Sequence, residues 1–151
     1  MSALQLKTLL SSNQSYAALA LRLPAGAIFV AHGAQKLFAW FGGYGLEGTG
    51  QYMASLGMES GYLMALMAGS AEFFGGLALL FGLLVRPAAT MLAVTMLVAI
   101  VMAHLASGFF ISNGGYEYAL ALLGMSVALA VQGGGRLAAD NLLVAIINRK
   151  A

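Results

Sequence analysis

The run from Gly61 to Val85 holds a single charged side chain, Glu72, near its middle. A helix needs about 20 apolar residues to cross the hydrocarbon of a bilayer, so this run is long enough to span one. A carboxylate at that depth costs at least ~2.5 kcal/mol on insertion scales. A chain that keeps it uses it, either to assemble helices or for chemistry. A soluble fold is excluded by the scarcity of charge. Only 8% of the 151 residues are charged and mean hydropathy is +0.88, whereas a soluble domain carries roughly 25% charged residues.

Four apolar runs, at about 16–40, 61–85, 87–111 and 116–135, predict an all-α integral membrane protein. The expected form is a four-helix transmembrane bundle, one domain over 1–151, with the lipid bilayer as its surroundings. None of the runs alternates apolar with polar residues, so strands are not expected. Pro87 suits the first turn of a helix, and Leu84 to Arg86 reads as the link of a tight antiparallel hairpin. Lys7, Arg86, Arg136, Arg149 and Lys150 fall on one side of this arrangement, while the loop from Phe41 to Ser60 has no Lys or Arg. The positive-inside rule then puts both termini in the cytoplasm of a bacterial inner membrane, and the N-terminus reads as a lead-in, not a cleaved signal peptide. Trp40, Tyr44, Tyr52, Tyr62, Tyr116 and Tyr118 collect on the outer side as an interfacial belt. After the fourth run, Leu142, Leu143, Ile146 and Ile147 share one helical face, and Arg136 and Asp140 are one turn apart. This predicts a short amphipathic C-terminal helix at the cytoplasmic interface, or else an extension of the fourth span.

There is no cysteine, which removes disulfides and thiol redox relays. A net charge of +2 without a basic cluster gives no sign of nucleic-acid binding. On the second run, Ala65, Ala68, Gly69, Gly75 and Gly76 form a strip of small residues around Glu72. Such a strip admits a close neighbour helix, so Glu72 is expected to face the bundle. It serves there either as a structural polar clamp or as a functional group. On the first run, Arg22, His32 and Lys36 lie within an arc of about 80°. His32 and Glu72 lie at similar depths, about 12 and 16 Å below the same face, which lets them approach each other. Arg22 is nearer the other end, placed to snorkel or to reach toward Glu72. With Gln35, His104 and Glu117, these residues predict a polar site in the outer half of the bundle. Such a set can bind a quinone carbonyl or relay protons. Metal or haem ligation is the weaker alternative, because no ligand spacing signature is present. Two further patterns point elsewhere. Gly43 to Gly48 matches G-x-G-x-x-G but lies in a loop between spans, outside any βαβ unit, so its glycines read as turn formers. Met64 and Met67, one turn apart, read as packing and not as a copper site.

The chain resembles the DoxX family of small bacterial inner-membrane proteins. The likeness rests on L-R-L-P-A-G-A-I-F-V-A-H-G-A-Q-K-L-F (Leu21 to Phe38), G-G-Y-G-L-E-G-T-G-Q-Y-M-A-S-L-G (Gly42 to Gly57), A-G-S-A-E-F-F-G-G-L-A-L-L-F-G-L-L-V-R (Ala68 to Arg86) and G-G-R-L-A-A-D (Gly134 to Asp140). The resemblance implies a four-helix membrane protein linked to oxidoreductase or oxidative-stress systems. In that reading the chain is a redox subunit or accessory. Glu72 and His32 handle protons, Gln35 and Lys36 orient a quinone-like ligand, Arg22 pairs or anchors, and His104 and Glu117 complete the site. Partner redox subunits and a homo-oligomer are compatible with it. A small proton-coupled transporter and a non-catalytic assembly protein are the competing expectations.

Overall fold

The computed structural model describes residues 3–12 and 15–150, and all regular structure among them is helical. The helices are α1 (Ala3–Leu10), α2 (Ala17–Phe38), α3 (Gly45–Ser55), α4 (Gly61–Phe81), α5 (Val85–Ala99), α6 (Glu117–Gln132) and α7 (Ala139–Lys150). A π-helical turn at Ile100–His104 and a 3-10 turn at Leu105–Ser107 prolong α5. Three segments are long and apolar enough to cross a membrane: α2, α4 and the extended α5, Val85–Ser107. The run expected as a fourth span is a shorter apolar helix, α6, whose 16 residues give a length of about 24 Å.

Two helix pairs build the bundle. The first, α2 with α4, is a glycine seam. A Cβ at Gly76 would stand 2.7 Å from the Val30 nitrogen and 2.8 Å from the Gly26 oxygen. One at Gly33 would strike the backbone of Phe73. Gly26 and Gly33, like Gly69 and Gly76, are two helical turns apart, so the backbones stay close along the contact. The second pair is α5 with α6. Between the pairs lies a core that includes Phe29, Leu79, Val85, Leu92 and Leu129, all at most 1% exposed. Large apolar side chains such as Phe74, Phe81, Val94 and Val131 point outward, as lipid contact requires.

The α4–α5 hairpin turns earlier than the sequence suggests. α4 ends at Phe81, not at Val85, because Gly82 (φ +69°) and Leu84 (φ +50°) turn the chain in left-handed conformations. α5 therefore starts at Val85, and its run closes at Ser107, before the expected Ile111. Pro87 still falls in its first turn, where a missing N–H breaks no helical bond. No local side chain caps this helix start. Asp140 does so from far along the chain: the amides of Leu84 and Val85 donate to its two carboxylate oxygens at 2.7 and 3.0 Å. The Asp140 amide in turn donates to the Gly82 carbonyl at 3.0 Å. The expected Arg136–Asp140 pairing does not form; Arg136 instead lies 5.4 Å from the centre of the Tyr16 ring.

The segment from Phe41 to Ser60, expected as a loop, contains α3. Its glycines lower helix propensity, yet they serve a close approach. A Cβ at Gly50 would stand 2.9 Å from the Tyr62 Cα, so glycine lets α3 lie against the start of α4. The C-terminal segment is a separate helix, not an extension of α6, since Gly133 (φ +80°) and Gly135 (φ +79°) break the chain between them. In α7, Leu142 and Ile146 are exposed, Leu143 and Ile147 half-buried.

Candidate functional site

The glycine seam sets the central contact. A Cβ at Gly69 would meet the Lys36 Cβ at 3.1 Å, so α2 carries Lys36 directly across the face of α4. The Lys36 ammonium donates to Glu72 Oε2 at 2.6 Å. The Glu72 side chain is 4% exposed and that of Lys36 24%. The carboxylate's direct partner is thus Lys36 and not His32. His32 lies one turn back on α2, within electrostatic reach of both members of the pair. Its ring centre is 6.1 Å from that of Tyr118 on α6.

This pair stands in the wall of a cavity of about 940 Å³. His32 and Lys36 of α2, Glu72 and Ser70 of α4, His104 at the end of the extended α5 and Tyr118 of α6 supply its polar groups. Thr49, Tyr52 and Met53 of α3 line it at one end of the bundle, here called the α3 end. The remaining wall is apolar apart from Thr95, whose hydroxyl donates to the Met91 carbonyl, and Met53, Met58, Met64, Met67, Met91 and Met96 all contribute to it. A methionine-rich wall adapts to an apolar ligand at little cost. Toward the opposite, hairpin end the packed core stops the cavity at Phe29, Met96 and Leu122.

His104 occupies the π-helical turn, a distortion that recurs at functional positions. Its Nδ1 is 2.8 Å from the Gly114 carbonyl. A carbonyl only accepts, so Nδ1 is the donor in this bond, which leaves Nε2 free of it.

Three other candidates do not line the cavity. Gln35 donates to the Phe41 carbonyl at 3.3 Å, steadying the turn after α2, and its side chain also hydrogen-bonds His32 in the cavity wall. Glu117 accepts from the Ile111 amide at 2.7 Å and shapes the α5–α6 connection. Arg22 lies at the hairpin end, 2% exposed, and neither snorkels nor turns to Glu72. Its Nε donates to Gly134 O (3.1 Å), one terminal nitrogen to Leu79 O (2.9 Å) and Leu80 O (2.6 Å), and the other to Leu137 O (2.8 Å). Leu79 and Leu80 belong to the last turn of α4, whose carbonyls lack helical partners and carry the negative end of the dipole. Asp140 is the nearby opposite charge. Burial raises its pKa, while the Val85 and Leu84 amides and Arg22 oppose the shift.

Sequence reasoning missed the lining from α3 and the pairing of Tyr118 with His32. Thr49, Tyr52 and Met53 recur at helical spacing, a signal hidden by the glycines around them. Among the described residues no three His, Asp or Glu side chains gather as a metal site.

The DoxX family model matches residues 17–105, from α2 through the π-turn of α5. Among curated proteins, "Putative oxidoreductase CatD" of Bacillus subtilis (strain 168) is 35% identical over 122 residues, spanning 81% of this chain and 83% of that protein. No solved structure gives a significant match. All the polar residues that line the cavity, Tyr118 excepted, fall inside the matched segment.

Proposed function

Since the chain belongs to the DoxX family, we propose that it is the membrane component of a redox system and binds a quinone head group at the Lys36–Glu72 pair. The observation that carries this reading is the mid-helix carboxylate of Glu72, neutralised by Lys36 from the last turn of α2, in the wall of a largely apolar cavity. A buried charge pair away from water marks a functional site by default. The donor set suits a flat ring with carbonyl oxygens. Lys36 donates to a carbonyl, Glu72 accepts a proton when the ligand is in its hydroxyl form, and the adjacent His32 passes it on. His104 offers a second basic nitrogen at the cavity's α3 end. Electrons pass between the ligand and a partner redox subunit, because the chain itself has no thiol to hold them.

The finer placement belongs to the same proposal. α6 completes a four-span, one-domain bundle in the bacterial inner membrane, with both termini cytoplasmic and the α3 end outward. Arg86, Arg136 and Arg149 at the hairpin end support this orientation. A transporter is the weaker reading, since the packed core separates the cavity from the hairpin end. The test is purification in mild detergent from a quinone-replete membrane, followed by solvent extraction and chromatography of the bound quinone. Wild-type protein retains quinone in a near-stoichiometric amount, and Glu72→Gln, at normal membrane abundance, does not. Equal retention by both sinks the assignment.

A further inference from the structure

The cavity opens toward lipid between α4 and α5. α4 and α5 touch near the hairpin, where a Cβ at Gly75 would meet Leu92 Cγ at 3.0 Å. Toward the α3 end the cavity separates them. On these two helices five side chains line the cavity and are at the same time exposed on the outside of the bundle: Met67 (58%) and Phe74 (61%) on α4, Met91 (42%), Val94 (57%) and Val98 (47%) on α5. A residue can do both only at the rim of an opening. The rim is wholly apolar, and both helices that form it belong to the segments able to span a membrane.

We propose that this gap between α4 and α5 is a lateral portal and tail groove. The site loads from the hydrocarbon, and the apolar tail of a lipid-soluble quinone lies between Met67 and Phe74 on one side and Val94 and Val98 on the other. This rests on the reading of the Lys36–Glu72 site as a quinone site. Two observations select this occupant over a phospholipid. The first is depth. Glu72 is eleven residues from the start of α4 and nine from its end, about 16 and 14 Å, so its carboxylate lies near the middle of the hydrocarbon. A phosphate head group stays at the interface, whereas an uncharged carbonyl ring can enter to that depth. The second is charge. Lys36 and Glu72 neutralise each other, so the site presents no net cation to an anionic head. The tail faces apolar rim side chains on its way out, and the one hydroxyl beside them, that of Thr95, donates to the Met91 carbonyl of its own helix. Methionine at the rim and inside accommodates a branched isoprenoid chain without a fixed shape.

The test uses full-length protein in liposomes and two probes. One is a quinone whose tail carries a diazirine; the other is the same ring without a tail. Photolysis followed by peptide mass spectrometry is expected to place the tail adducts on α4 at 67–74 and on α5 at 91–98, and excess tailless quinone removes them. Filling the groove with Ala71→Phe or Thr95→Phe weakens the tailed quinone by roughly tenfold, a difference of about 1.4 kcal/mol, and leaves the tailless ring within about twofold. Adducts confined to α3 at 49–58, or equal weakening of both quinones, overturn the groove and leave the head-group site standing. Binding of the tailless ring without any localised tail adduct has the same meaning. If neither quinone binds, the groove and the head-group reading fall together.

Discussion

The bundle buries two polar clusters, and they are built on opposite principles. At the hairpin end, Arg22 donates to four backbone carbonyls while Asp140 accepts from two amides, and both side chains are buried. Every partner is backbone at or beside a helix end or turn, where helical partners run out. At mid-depth, Lys36 and Glu72 hold each other with a single hydrogen bond in the wall of a large cavity, and His32 waits beside them. The first cluster ties the α4–α5 hairpin to the 133–140 segment and engages four of the five guanidinium N–H donors. The second keeps donors facing empty space at the depth where burial is most expensive. Near saturation marks the structural cluster, and spare capacity beside a cavity marks the functional one.

The comparison breaks first at Arg22. Arg22→Ala leaves four buried carbonyls and the Asp140 carboxylate without their cation. A loss of about 3–5 kcal/mol is expected, seen as collapse of membrane abundance and of thermal stability in detergent. Arg22→Lys does not restore it, because one ammonium cannot span carbonyls on two separate segments as a guanidinium fork does. Wild-type stability in Arg22→Ala would erase the distinction drawn between the clusters.

A smaller loss comes from the seam that presents the second cluster. Gly33→Ala forces a methyl into the Phe73 backbone. Overpacking of this kind costs about 1–3 kcal/mol and moves α2 from α4. The Lys36–Glu72 bond is then stretched, so bound quinone falls together with stability. A variant as stable as wild type shows that the seam tolerates a side chain there.

Glu72→Gln separates the two roles. Lys36 loses its counter-charge, but it is partly exposed and one turn from Trp40, so its ammonium can lift toward the α3 end. The stability loss is expected to stay within about 1–3 kcal/mol, below that of Arg22→Ala. Quinone binding is lost. The double variant Lys36→Met, Glu72→Leu sharpens the point: an apolar pair of similar volume is as stable as the ion pair or more so, yet binds no ring. Quinone retained in the double variant would return both residues to a packing role.

Much of this was legible before any coordinates. The lone carboxylate within Gly61–Val85 and the small residues around it pointed inward, and the seam fulfils that reading. The choice of partner was not legible. Depth matched Glu72 with His32, whereas one further turn of α2 brings Lys36 across Gly69, and only the helix crossing decides between them. Arg22 was harder still. Its partners are carbonyls, which every residue has, so no side-chain pattern announces them. Asp140 was read with Arg136 because spacing within one helix is visible in a sequence. A cap supplied to Leu84 and Val85 from 55 residues away is not. α3 was hidden because glycine usually ends helices, and here it lets one helix lie upon another.

The smallest expected effect concerns Asp140, the one group of the hairpin cluster that titrates at accessible pH. Burial raises its folded pKa above the value in the unfolded chain, against the pull of the Val85 and Leu84 amides and of Arg22. The native state therefore takes up a proton at a higher pH than the unfolded state does. The stability tied to this group is complete below the unfolded pKa and declines as pH rises through the folded one. That slope is opposite to the one given by an ordinary salt-bridged carboxylate. Thermal unfolding followed from neutral to mildly acid pH should show it as a shallow contribution that Asp140→Asn removes. Asparagine keeps one oxygen for an amide of the α5 start and carries no titrating proton, so the variant changes the pH dependence more than the fold. A carboxylate whose removal steepens the gain toward acid pH would mean that Arg22 outweighs burial, and the hairpin cluster would then be an ion pair first and a backbone clamp second.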